Sequence, residues 1–305
     1  MLSKVDTLSD VSSSSEDDIK DKKKEIIPTK SKNKIIRRKY FDGNEDLVKD
    51  DEMQKWWKRR YDLFWRFDEG IKFDKESWFS VTPETIARRQ ADTCQCDVIV
   101  DACSGIGGNS IAFTRTCSFV ISIDNSLEKL EMLQHNSKIY GVGKFIDPIL
   151  SDISYGLLMF RKDSIDIVYA SPPWGGPGYS NLQLPPGSAS WNKKYNRKNT
   201  IKDLNREEIV IEEAFGLDHI NCLNGLINCS RLLTKKICVY LPRNSSIGQM
   251  LKLGWPIEED KKIYPSNSEN DMRDLHLPVF IEDYWLRGRR IALCAYIGYF
   301  EKMLM

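Results

Sequence analysis

An apolar run, Ile165–Ala170, leads directly into Ser171-Pro172-Pro173-Trp174-Gly175-Gly176-Pro177. The two prolines fix φ and carry no N–H. The carbonyls of Ser171 and Pro172 can therefore be held outward, where they suit the N–H groups of a planar amine. Trp174 adds a π-face on which a flat nitrogen base can stack. Together these groups suit one task, which is presenting such a base edge-on to a methyl donor. A proline-rich turn with a Trp packed in the core has the same local sequence, so the rest of the chain must decide.

Two further stretches bear on that choice. Asp101-Ala102-Cys103-Ser104-Gly105-Ile106-Gly107-Gly108-Asn109 follows an apolar run, Val98–Asp101. Glycines at such a turn let the backbone approach a ligand at the carboxyl edge of a sheet. A second run, Phe119–Asp124, also ends in an acid. An acid about 20 residues beyond a glycine-rich loop suits the hydroxyls of a ribose. Dinucleotide binding competes, but the loop lacks Gly-x-Gly-x-x-Gly spacing. Ser151-Asp152 follows a third run and offers either a ligand acid or a helix cap.

The elements that would position these groups alternate between strand-like and helix-like patterns, as in a parallel sheet with helical crossovers. Strands are expected at Val98–Asp101, Phe119–Asp124, Phe145–Leu150, Ile165–Ala170 and Ile237–Leu241. Helices are expected to open at Ile111–Thr116, to run over Leu127–Tyr140 and to occupy part of Ile209–Leu233. Val279–Trp285 and Arg290–Phe300 flank Arg287-Gly288-Arg289 and read as an antiparallel hairpin closing the sheet. Upstream, Trp56, Arg60, Leu63, Phe64 and Phe67 follow helical spacing, with Lys55, Lys58, Arg59 and Arg66 between them. Thr82 before Pro83 reads as the N-cap of a helix running through Ile86 and Ala87 towards Asp92.

The chain has 305 residues and a net charge of +1 from 45 basic and 44 acidic groups, so any basic surface must be local. No apolar run reaches the roughly 18 residues that a membrane span needs, and the N-terminus has no apolar signal core. Neither a membrane role nor secretion is expected. The eight cysteines form no Cys-x-x-Cys and the three histidines are scattered, which suits reduced thiols rather than a metal site. Residues 1–48 carry a Ser/acidic patch and two lysine-rich runs, and read as a disordered tail. The basic runs suit a nuclear address or a nucleic-acid tether, and a solvated linker has the same composition.

The glycine loop in its Asp-x-x-x-Gly-x-Gly form resembles the S-adenosylmethionine loop of class I methyltransferases. The fold expected is therefore α/β and Rossmann-like. It would have a mostly parallel seven-stranded sheet, an antiparallel C-terminal hairpin, helices on both faces and a small N-terminal helical extension. On this reading residues 49–92 form the extension and 93–305 the methyltransferase domain. The order of loop, second-strand acid, third-strand acid and Ser-Pro-Pro-Trp is that of an amino-methyltransferase.

The match goes further. Lys55-Trp56-Trp57-x-x-Arg60-Tyr61-x-Leu63-Phe64-x-x-Phe67-Asp68-x-Gly70-Ile71, Trp78-Phe79-Ser80-Val81-Thr82-Pro83-Glu84, the 101–109 loop, 171–179 and Leu241-Pro242-Arg243-Asn244 resemble the trimethylguanosine synthase family. These are cap hypermethylases of small nuclear and nucleolar RNAs. The resemblance spans about residues 50–300. It implies methylation of guanine N2 in a 7-methylguanosine cap, with S-adenosylmethionine as donor and S-adenosylhomocysteine as product. By the same resemblance, Ser171, Pro172 and Trp174 carry the reaction. Phe64, Ser80, Thr82, Asp101, Gly105, Gly107, Asn109, Asp124 and Asp152 hold the donor. Lys55, Val81, Asn136, Trp174 and Arg243 meet the cap. It further implies a monomer in the nucleus or nucleolus, with some in the cytoplasm, and contacts to ribonucleoprotein proteins through the tail.

Three departures stand out. Cys103-Ser104 replaces an aromatic followed by Cys, residues 180–208 look like an insertion (a lid, an RNA contact or a plain loop), and 258–278 look long. Another exocyclic-amine methyltransferase, acting on adenine N6 or ribosomal guanine N2, and a degenerate cap-binding module remain the competing readings.

Overall fold

The computed structural model describes residues 51–174, 215–255 and 276–303. The tail, Gly175–Pro177 and the 180–208 insertion lie outside the described residues, as do most of 258–278 and the first part of the expected 209–233 helix. Seven strands form one sheet in the order β3-β2-β1-β4-β5-β7-β6. They are β1 (Cys96–Asp101), β2 (Cys117–Asp124), β3 (Ile146–Leu150), β4 (Ile167–Ala170), β5 (Ile237–Pro242), β6 (Val279–Leu286) and β7 (Arg289–Ile297). β1 to β5 pair in parallel, and β7 runs antiparallel between β5 and β6.

Every residue of β4 and β5 is buried, the continuous apolar pattern of a strand covered on both faces. Neighbouring residues divide between two cores: Ile99, Ile167, Tyr169 and Tyr240 pack on one face, and Val100, Val168, Ala170 and Leu241 on the other. The sequence places β1 to β6 to within two residues and carries β7 three residues too far, to Phe300. It misses two short helices, α7 (Ile153–Leu158) and α9 (Ile247–Lys252). Each is opened by a side-chain cap: Ser154 N donates to Asp152 Oδ1 at 2.9 Å and Gln249 N to Ser246 Oγ at 3.4 Å.

Strand order fixes where a ligand can sit. The chain runs outward from β1 through β2 to β3, then crosses back to place β4 on the other side of β1. That reversal opens a crevice beyond the carboxyl ends of β1 and β4. Asp101, Asp124, the Ser151-Asp152 pair and Ser171 all lie at or just beyond that edge. The helices α5 (Gly108–Phe113), α6 (Leu127–Ile139) and α8 (Leu223–Leu233) complete the layers.

The N-terminal segment departs from the single helix expected. It breaks into α1 (Asp51–Trp57), α2 (Arg60–Leu63), a 3-10 turn at Phe67–Glu69 and α3 (Ser77–Ser80). The cause is aromatic packing. A straight helix would set Trp57 and Phe67 about 15 Å apart along its axis, yet their rings meet edge to face at 5.4 Å. Phe67 and Phe73 also reach Trp78, with Phe73 stacked on it at 4.5 Å. Only a folded-back chain brings these rings together. They join the same core cluster as the sheet residues Ile99 and Tyr240.

Thr82 is a second correction. The helix α4 (Glu84–Thr93) is flanked by Pro83 at its cap position, with φ −53° and ψ 137°. The extended Pro83 delays the helix by one residue, and the Thr82 side chain makes no capping bond. At the other end of the chain, the β6–β7 hairpin turns through Arg287 and Gly288, both with positive φ, 50° and 75°. An arginine in that left-handed region costs on the order of 1 kcal/mol.

Candidate active site

The crevice is a cleft of about 850 Å³, within the range of small-molecule sites. Its floor is the 102–106 loop with Gly108 and Asn109. One wall is Asp124, Asn125 and Lys129, and the opposite wall is Ser171, Pro172, Pro173, Trp174, Tyr240 and Arg243. The extension covers it with Trp56, Arg59 and residues Glu76–Pro83.

The floor is built by glycines at two positions with different demands. Gly105 has φ +51°, and an added Cβ would meet nothing within 4 Å. That face of the loop is open space for a ligand. Gly107 has φ +94°, and its added Cβ would stand 2.9 Å from Leu133 Cγ. Gly107 thus lies under the loop, against α6, and is not part of the lining. Gly105 N donates to Asp124 Oδ2 at 2.8 Å and Ser126 N to Asp124 Oδ1 at 3.0 Å. Both carboxylate oxygens are oriented by backbone donors. Asp124 is half-buried and lines the cleft, and each oxygen has a second lone pair to offer.

Asp101 sits beneath the loop and is fully buried. Ser110 Oγ donates to its Oδ2 at 2.6 Å, and Ser122 Oγ donates in turn to Ser110 Oγ at 2.9 Å. Burial raises its pKa to about 7, the Ser110 hydroxyl bond pulls it back, and the charge of Asp124 adds to the rise. Its other oxygen, Oδ1, has no hydrogen-bond partner among the described residues. Two buried hydroxyls at the cleft, Thr82 Oγ1 and Ser104 Oγ, likewise have no partner among the described residues. Leaving a buried polar group unsatisfied costs about 1–3 kcal/mol, so a polar ligand in the cleft would gain by meeting them.

On the acceptor wall, Trp174 Nε1 donates to Tyr240 O at 3.2 Å. The two rings lie 5.3 Å apart at 42°. The indole is fixed in orientation yet stays half-exposed. Ser171 and Pro172 lie just past the last laddered pair of β4, Ala170↔Val239. Arg243 is exposed at the end of β5.

The structure brings Ser80, Val81, Thr82, Gly105, Asn109, Asp124, Asp152, Ser171, Pro172, Trp174 and Arg243 to one cleft. Five other expected residues do not line it. Phe64 is buried behind Gly108. Asp101 and Gly107 support the loop from below. Lys55 is exposed on α1, with Nζ 5.6 Å from the Trp56 ring. Asn136 is the clearest departure. It is fully buried and its amide is spent: Lys72 N donates to Oδ1 at 2.8 Å, and Nδ2 donates to Lys72 O and Ile106 O, both at 3.1 Å. It ties the extension to the glycine loop. Asp152 lines the cleft while one of its oxygens caps α7.

Sequence reasoning missed Lys129 and Glu76, which form an ion pair of 2.7 Å between α6 and the extension. Asp74 and Asp124 add to the field that holds Lys129 charged, and Glu76 is its direct partner. It also left Trp56 and Phe79 out of the site. They meet edge to face at 5.4 Å and line the cleft. No local signal marks these contacts, because each pairs segments far apart in the chain.

A parallel five-strand sheet with an antiparallel β7 inserted before β6, a glycine loop after β1 and acids ending β1 and β2 define a class I methyltransferase. Residues 96–299 match the model of one family, described as RNA cap guanine-N2 methyltransferase. The trimethylguanosine synthase of Schizosaccharomyces pombe is 46% identical over 256 residues, spanning 81% of this chain and 86% of that one. The trimethylguanosine synthase of Saccharomyces cerevisiae is 29% identical over 213 residues, spanning 67% of this chain and 58% of that one. The chain belongs to the RNA cap guanine-N2 methyltransferase family, and is an enzyme of cap guanine-N2 methylation.

Proposed function

We propose that the chain converts 7-methylguanosine caps to 2,2,7-trimethylguanosine, on small nuclear and nucleolar RNAs, in the nucleus. The observation that carries this reading is a single cleft shared by Asp124 with the glycine loop and by Ser171, Pro172, Trp174 and Arg243. The two curated relatives supply the product, and the lysine-rich runs of the tail suit the compartment.

S-adenosylmethionine fits the donor end: a half-buried acid for a ribose diol, an open face at Gly105, and the hydroxyls of Thr82 and Ser104, which have no partner among the described residues. When bound, it supplies a methyl group already activated by the sulfonium. The protein then needs alignment and exclusion of water more than acid–base strength. Asp124 would hold the ribose, and the Gly105–Asn109 backbone the methionine end. Ser171 and Pro172 carbonyls would accept the N–H groups of guanine N2, turning its lone pair towards the methyl. Trp174, fixed by Tyr240, would stack on the base. A 7-methylguanine carries positive charge, so desolvated stacking gains about 2 kcal/mol from the cation–π interaction. Arg243 and Lys55 would meet the cap phosphates, Arg243 by paired hydrogen bonds. No histidine is among the described residues lining the cleft, and none is required, since the amine proton leaves a cationic product spontaneously.

The test is incubation of the full chain with labelled S-adenosylmethionine and three acceptors: 7-methyl-GTP, GTP and an uncapped RNA. Two methyl groups on 7-methyl-GTP and none on the others is the expected product mass. Equal labelling of GTP or uncapped RNA would overturn the reading. Asp124→Ala should abolish labelling and leave 7-methyl-GTP binding nearly intact, and loss of cap binding in that variant would contradict its place at the donor.

A further inference from the structure

Gln90 lies on α4 and is fully buried. Glutamine is mostly an exposed residue, and a polar group goes so deep only with partners. The partners of Gln90 come from two sides of the cleft. Asn109 Nδ2 donates to its Oε1 at 2.7 Å, and Tyr169 Oη donates to the same oxygen at 3.1 Å. Asn109 is on α5, directly after the glycine loop, and lines the donor floor. Tyr169 is on β4, two residues before Ser171, which lines the acceptor wall. Neither Gln90 nor Tyr169 is among the residues lining the cleft.

Tyr169 is a fixed post. It pairs with Asp101 in the ladder, and its carbonyl accepts from Ala102 N at 2.8 Å. Its ring meets Phe113 of α5 edge to face at 4.9 Å. Burial pushes the phenol well above its ordinary pKa, so the hydroxyl keeps its proton and donates it. The other end of the Gln90 amide, Nε2, has no hydrogen-bond partner among the described residues. An unpaired buried amide nitrogen lowers stability. Methionine would fill the same space without that loss. Packing therefore does not call for a glutamine here, whereas the two bonds on Oε1 do.

We propose that Gln90 is a positioning residue for methyl transfer, its amide oxygen locking Asn109 on the donor floor to Tyr169 and so to the strand end that carries Ser171 and Pro172. In-line displacement needs the methyl group and the amine nitrogen in register, and a misplacement of about 1 Å can cost about a hundredfold in rate. Donor and acceptor are held by different elements, α5 and β4. Gln90, on a third, is where side chains from both meet. Tyr169 acts through Gln90: it orients the amide that orients Asn109. The inference rests on the cap reading above and adds what sets the alignment of its two substrates.

The experiment compares the parent chain with Gln90→Met, Tyr169→Phe and the double variant. Each change removes polar atoms and nearly keeps the volume, and Tyr169→Phe leaves the ring against Phe113. S-adenosylhomocysteine binding is measured by calorimetry without acceptor, and its stoichiometry counts the folded sites. The kcat per folded site is measured with 7-methyl-GTP at saturating donor. Gln90→Met should weaken S-adenosylhomocysteine about fivefold and lower kcat about tenfold, with KM for 7-methyl-GTP changed less than about twofold. Tyr169→Phe should give smaller losses of the same two quantities. Those losses should vanish in the Gln90→Met background, so that the double variant matches Gln90→Met. A residue that only stabilised the fold would lower the stoichiometry and leave kcat per folded site at the parent value, and that result would overturn the proposal. So would Tyr169→Phe losses of equal size in both backgrounds. If Gln90→Met does not fold, Tyr169→Phe decides by itself, and unchanged affinity and kcat in it refute the tie. A parent that leaves 7-methyl-GTP unmethylated fails the cap reading, while the calorimetric comparison, which uses no acceptor, still decides the role of Gln90.

Discussion

Asn136→Ala separates two roles that sequence and structure assign to one residue. Resemblance places Asn136 against the cap base. In the fold its side chain makes three hydrogen bonds, two to the Lys72 backbone and one to Ile106 O. Buried bonds of this kind contribute about 0.5–1.5 kcal/mol each net, so truncation should cost roughly 2–4 kcal/mol. For a chain of this size that corresponds to a fall in Tm of about 5–15 °C. The functional effect follows from geometry. Lys72 belongs to the extension that roofs the cleft, and Ile106 to the loop that floors it. Releasing the tie loosens both, so KM should rise for donor and cap together. Asn136→Asp should be no better, because a carboxylate would face two carbonyls where the amide donated. Thermal melting and a two-substrate kinetic matrix read these outcomes. An unchanged Tm with a rise in cap KM alone would refute the structural account and restore the contact to the base.

Two further perturbations follow. Asp101 has its folded pKa raised from 3.8 to about 7 by burial. An acid raised in this way binds its proton more tightly in the folded state, so its contribution is complete below the unfolded pKa and is lost as pH rises through about 7. Without donor present, stability should fall between about pH 4 and 7 by up to roughly 4 kcal/mol, and Asp101→Asn should flatten that profile in pH-dependent denaturant titrations. A profile identical in both proteins would refute it. Trp174→Ala should lose cap binding by one to two orders of magnitude in titrations with 7-methyl-GTP, from about 2 kcal/mol of lost stacking, while Trp174→Phe keeps part of both binding and activity. Unimpaired activity in Trp174→Ala would remove the stacking role.

The sequence by itself determined the strands, the glycine loop and the proline turn that follows β4. Their signals are local: Ile167–Ala170 is buried on both faces and needs only its own composition, and Gly105 is required by its own φ. Once the strands are placed, their carboxyl ends supply the acids at 101 and 124 without further information. Tertiary structure decided everything that depends on contacts between distant segments. The aromatic cluster of Trp57, Phe67, Phe73 and Trp78 breaks what helical spacing draws as one helix. Pro83 shifts the start of α4 and leaves Thr82 with its hydroxyl at the cleft. Asn136 is a tie because Lys72 and Ile106 converge on it from 64 and 30 residues away. Arg287 meets Asp62 across 225 residues, which ties the hairpin tip to α2. Periodicity and turn chemistry are properties of a few neighbouring residues. Which side chains are spent on one another, and which remain for a ligand, is settled only when the chain has closed on itself.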